Sequence, residues 1–175
     1  MALPQLKDLV LRDTPFAELM NKRIYHVLLI ATKYDAFMLE DDGRIDEQLF
    51  NEYTSLSLRY PPRFTQVSTE EEATHVLEQT RFDLVICMPG TDNSDAFDIG
   101  RGIKEQFPDT PLVVLTPFSH GITRYMERQD LSLFEYVFCW LGNTELLLSI
   151  IKLMEDKMNL DHDIREGGVQ MILLV

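Results

Sequence analysis

Four apolar runs punctuate the chain: IYHVLLIA at 24–31, FDLVICM at 82–88, PLVVLT at 111–116 and FEYVFCW at 134–140. Each is too short for a helix and rich in β-branched, leucine or aromatic residues, the pattern of strands buried on both faces. A weaker segment, RFTQV, follows Pro61 and Pro62 and reads as a fifth, short strand.

Helical periodicity fills the intervals. Leu6, Leu9, Val10, Phe16, Leu19 and Met20 recur at mostly helical spacing, broken near Asp13, Thr14 and Pro15, and predict an N-terminal helical arm over residues 1–23. Ile45, Leu49, Tyr53 and Leu56 predict a helix that the two prolines end. Ser68 or Thr69, with Glu71 and Glu72 three positions on, gives a capping box for a helix over 69–80. Phe97, Ile99, Ile103 and Phe107 mark a helix over 94–106, stopped by Pro108 and containing Gly100 and Gly102, which weaken it. A short helix fits 118–128. Asn143 or Thr144 caps a last, amphipathic helix with Leu146, Leu147, Ile150, Ile151 and Met154 on one face.

Strands alternating with helices predict an α/β fold, a doubly wound five-stranded parallel sheet covered on both sides, because every parallel crossover needs a returning helix. This domain spans 24–158. The polar stretch 159–168, with Asp161, His162, Asp163, Arg165, Glu166 and two glycines, reads as a linker, and Val169–Val175 as the first strand of a following domain.

Composition narrows the function. The 175 residues and 45% hydrophobic content support one domain with a real core. Sixteen basic against 29 acidic residues leave a net charge of −13, which repels nucleic acid and anionic membranes, so neither is expected as a partner. Cys87 and Cys139 lie in apolar runs, no signal-peptide pattern opens the chain, and no stretch nears the roughly 20 apolar residues of a transmembrane helix. The expected location is cytoplasmic. His26, His75, His120 and His162 have no metal-ligand spacing, the acidic run Glu40–Asp42 lacks ligand alternation, and phosphate-cradling glycine motifs are absent, so neither metal nor cofactor is expected. A thiol site at Cys87 or Cys139 competes with the ordinary role of cysteine as a small buried hydrophobe.

The segments HVLLIATK, FDLVICMPGTDNSDAFDIGRGIK, PLVVLTPFS and EYVFCWLGNTELLLSIIKLM, in that order, resemble the receiver domain of bacterial two-component response regulators over about residues 24–157. The resemblance implies a CheY-like, flavodoxin-like sheet of order 2-1-3-4-5. It also implies a phosphorylation site: an acidic pair after the first strand to hold Mg²⁺, an acceptor aspartate ending the third, Thr or Ser ending the fourth, and Lys ending the fifth. This sequence departs from that pattern. Laid on it without gaps, Ala31 and Thr32 replace the acidic pair, Met88 the acceptor and Cys139 the lysine. Asp92 and Asp95 lie too far past the strand to replace the acceptor. Thr116 keeps the hydroxyl, and Tyr136 stands where receivers place the aromatic that rotates on activation, although both residues also suit strands for ordinary reasons.

Phe118, Tyr125, Met126 and Trp140 form an apolar set on the side where receivers dimerise or dock partners, a pattern that ordinary core packing also produces. The expectation is a pseudo-receiver without phosphotransfer, binding a protein partner or a second copy of itself. A second reading makes the chain the N-terminal regulatory part of a larger enzyme, a kinase or a protein similar to phosphoenolpyruvate synthase or pyruvate phosphate dikinase. A third is a small-molecule binder at the carboxyl edge of the sheet, near Ala31, Met88, Thr116 and Cys139.

Overall fold

The computed structural model describes residues 19–32, 45–55, 60–88, 96–117, 130–140 and 145–167. The helix expected over 118–128, the arm before residue 19, Asp92, Asp95, the acidic run at 40–42 and the segment 169–175 lie outside them. Five strands form one sheet: β1 (His26–Ile30), β2 (Arg63–Val67), β3 (Leu84–Cys87), β4 (Leu112–Pro117) and β5 (Tyr136–Trp140). All pairings are parallel and the order is β2-β1-β3-β4-β5. This is the doubly wound sheet that the apolar runs predict.

Residue chemistry accounts for the layering. Val27 to Ile30, all of β3, and Leu112 to Leu115 are at most 1% exposed, so both faces of the central strands are covered. One face belongs to a continuous core in which Leu28, Val85 and Leu112 pack with Ala73 and Leu77 of α2 (Glu70–Gln79) and with Phe97 and Ile103 of α3 (Ala96–Gln106). The capping box operates as its spacing requires: Thr69 accepts the Glu72 amide at 3.1 Å, and the Glu72 carboxylate reaches back to the Ser68 amide at 2.8 Å. Further along the chain, Asp130 takes the Ser132 amide and hydroxyl at the start of a single 3₁₀ turn, Leu131–Leu133. Those two hydrogen bonds hold its carboxyl below the ordinary carboxylate value. The helix ended by the paired prolines is α1 (Ile45–Ser55).

The contacts divide the chain into two compact units, residues 24–148 and a second made of 1–23 with 149–175. The sheet, α1, α2 and α3 belong to the first. The last helix, α4 (Glu145–Gly167), begins in the first unit and supplies most of the described part of the second.

Two expectations fail in that second unit. Residues 159–167 are helical rather than a linker. Asp161, Arg165 and Glu166 are exposed, while Glu155 and Asn159 are 2% and 0% exposed and Asp163 is half-buried. Residues 19–23, the described part of the expected arm, form no helix. Their backbone groups are taken by α4 side chains instead. Asn159 accepts the Lys22 amide and donates to the Lys22 carbonyl, both at 2.7 Å, and Asp163 accepts the Met20 amide at 3.0 Å. No described helix is long and apolar enough to cross a membrane.

Candidate functional site

Parallel strands end at one edge of the sheet, and the register brings four of the five predicted site positions to that edge on neighbouring strands. Ile30 pairs with Cys87, so Ala31 and Met88 each stand one residue past a paired strand end. The Met88 amide donates to the Ile30 carbonyl at 2.8 Å, and the Ala31 amide to the Val67 carbonyl at 3.0 Å. Thr116 and Cys139 are register partners on β4 and β5. Thr32, the fifth position, follows Ala31 and is half-buried.

The chemistry of this edge is apolar at its centre. Ala31 is 1% exposed and Met88 6%, so the positions to which the resemblance assigns a metal-binding acid and a nucleophile hold a methyl group and a buried thioether. Thr116 is 3% exposed, and its hydroxyl donates to the Phe138 carbonyl at 3.4 Å. Cys139 is exposed, whereas Cys87 is buried with its thiol 3.5 Å from the Ala96 carbonyl, a core contact. Among the described residues, no three His, Cys, Asp or Glu side chains converge in a group able to hold a metal ion.

Tyr136 is half-buried in β5, its ring 5.7 Å from that of Phe138, the neighbour on the same strand face. Trp140 ends β5 opposite Pro117. Phe118, Tyr125 and Met126 lie outside the described residues, so the predicted apolar set is represented here by the backbone of Trp140 alone.

The sequence reasoning missed one feature of the first unit. Tyr25, Phe50 and Tyr60 are 47%, 57% and 73% exposed and gather at the opposite, amino end of β1 and β2. Their positions are far apart in the chain. Only the run RYPPRF, with an aromatic and an arginine on each side of two prolines, hinted at a surface feature.

No protein-family model matches the chain, and no curated protein matches it. Solved structures do. A CheY-like response-regulator receiver domain from Methanospirillum hungatei is 13% identical with a TM-score of 0.57, over 79% of this chain and 98% of that one. The phosphorylated cyanobacterial phytochrome response regulator RcpA is 21% identical with a TM-score of 0.53, over 81% and 96%. A structure of the histidine kinase ThkA with the response regulator TrrA of Thermotoga maritima matches at 17% identity and a TM-score of 0.54, over 75% of this chain and 98% of that one. At these identities the likeness is one of architecture, and the chain has the fold of a response-regulator receiver domain.

Proposed function

We propose that this chain is a non-phosphorylatable receiver, a non-catalytic regulatory module of signal transduction that acts by docking on a protein partner or on a second copy of itself. The observation that carries the reading is Met88, buried immediately past the end of β3 where a receiver presents its acceptor carboxylate. A receiver's acceptor is a carboxylate oxygen, and the neutral thioether that stands at this position offers only a weak lone pair. The rest of the apparatus is altered in the same sense. A methyl group at Ala31 supplies no hard oxygen for Mg²⁺, and Cys139 supplies no fixed positive charge for the phosphoryl oxygens. Thr116 retains a hydroxyl, but its proton is directed to a backbone carbonyl.

Incubation of the full chain with acetyl phosphate and Mg²⁺, followed by intact-mass measurement, tests the reading. The expected outcome is an unchanged mass under conditions that label a working receiver. A stoichiometric phosphoryl adduct would overturn it, and peptide mapping of that adduct would identify the acceptor.

A further inference from the structure

The amino end of the sheet carries a cavity of about 740 Å³, within the size range of small-molecule sites. It is remote from the carboxyl edge, because its walls are residues that precede or begin β1 and β2. Three of its liners, Tyr25, Phe50 and Tyr60, are the most exposed large hydrophobic side chains described in this unit. Phe64 and the rings of Pro61 and Pro62 complete the apolar lining. So much aromatic surface held open to water in one place is the mark of a binding site rather than of a core.

Charge distinguishes the ligand. In a chain of net charge −13, no acidic side chain is among the described residues that line this cavity, and the ionisable ones among them, besides the two tyrosines, are Arg63 and His26. His26 and Arg63 are register partners on β1 and β2, and partners in a parallel pair project from the same face. The exposed Arg63 guanidinium makes no ion pair among the described residues, leaving its planar fork open to a carboxylate.

The walls are also held in place. Asp83 accepts the backbone amides of Tyr25 and His26 at 2.9 and 3.0 Å through one oxygen, and the Arg63 amide donates to the Tyr25 carbonyl at 2.7 Å. Tyr60 has a φ of 75°, a left-handed conformation that a side-chain-bearing residue adopts only under constraint, and the following proline restricts it further. Strain of this kind collects where a side chain must be presented.

We propose that this cavity binds a small aromatic carboxylate, its ring against the tyrosine and phenylalanine walls and its carboxylate on Arg63. The site is independent of the chemistry at the carboxyl edge. It gives the fold a sensory input that needs no phosphate.

The test is a titration of the full-length ¹⁵N-labelled chain with indole-3-acetate and, separately, with neutral indole, followed by NMR. Saturable shifts centred on Tyr25, Tyr60 and Phe64 are expected with the acid, and indole should bind roughly tenfold more weakly for want of one charge-assisted pair. Arg63→Gln should abolish that preference. Phe50→Ala, on an exposed position of α1, should weaken both probes while leaving the melting temperature unchanged. No saturable shift up to about 10 mM probe, beyond the millimolar limit of weak specific binding, would overturn the proposal. So would shifts centred elsewhere, or equal binding of acid and indole that Arg63→Gln leaves untouched.

Discussion

A methyl group placed on Gly100 would stand 2.6 Å from Cε1 of Phe134 and 3.2 Å from Cδ2 of Leu112. Phe134 has little freedom to withdraw, because it is 8% exposed and packs edge-on against Phe97, their ring centres 5.5 Å apart. Gly100→Ala would gain up to about 1 kcal/mol of helix propensity, against an overpacking cost of about 1–3 kcal/mol. It should lower the denaturant midpoint. Gly102 gives the opposite result from the same substitution: the obstructing atoms are the carboxylate end of the partly exposed Glu70, which can swing into water. Gly102→Ala should therefore raise the midpoint, by up to about 1 kcal/mol of stability. In the sequence the two glycines look alike, and only the packing of Phe134 separates them. Ala31, Met88, Thr116 and Cys139 were named by the resemblance to receivers; what the apolar runs themselves made legible was the strands that carry or precede them. What no pattern revealed was the burial of Met88 or the partner of the Thr116 hydroxyl, both consequences of register.

At the scale of elements, α4 shows why a polar stretch need not be a linker. Glu155, Asn159 and Asp163 recur every four residues and so share one face of the helix. On it Glu155 pairs with Lys152 at 2.7 Å and Arg23 at 3.4 Å, while Asn159 and Asp163 hold the backbone of residues 20–22. Composition alone reported charge and glycine, and the spacing of those three residues was the signal that outweighed it. Asn159→Ala would remove the partner of the Lys22 amide and carbonyl at a part-buried place, at a cost of about 0.5–1.5 kcal/mol per hydrogen bond lost. The measurable consequences are a lower melting temperature and faster hydrogen exchange at Met20 and Lys22. The neighbouring Asp156 pulls the other way. Its carboxyl is raised above the ordinary value, chiefly by desolvation and further by Glu155 and Asp163, with Lys152 and Arg23 opposing. A raised value in the folded chain favours the protonated state. The associated stability is present below the unfolded value and is lost as pH rises through the folded one. Asp156→Asn should therefore melt higher than the parent chain at pH 7, and the difference should shrink as the pH is lowered toward the carboxylate range.

At the scale of the whole first unit, the sheet has a dry centre and two edge strands, β2 and β5, and the dry centre was readable in advance. HVLLI, LVIC and PLVVLT are uninterrupted apolar runs because β1, β3 and β4 are covered on both faces. RFTQV is mixed, and Arg63, Thr65 and Gln66 are exposed along this edge strand, whereas the other edge strand, β5, reads YVFCW and was apolar in the sequence. The aromatic cavity was not readable, since it assembles from a strand start, a helix and a proline turn that only the fold brings together. The same contrast sets the order of hydrogen exchange. Amides of β1, β3 and β4 should exchange only through global unfolding, whereas β2 and β5 should exchange faster through local opening. Edge strands are also the places where another chain can pair, so the experiment bears on the proposed docking. If the amides of β2 or β5 slow as protein concentration is raised, while those of β3 do not change, a second copy covers that edge and the partner is the chain itself. If all strands keep their rates across concentrations at which the chain stays a single species by light scattering, the docking surface is reserved for a different protein.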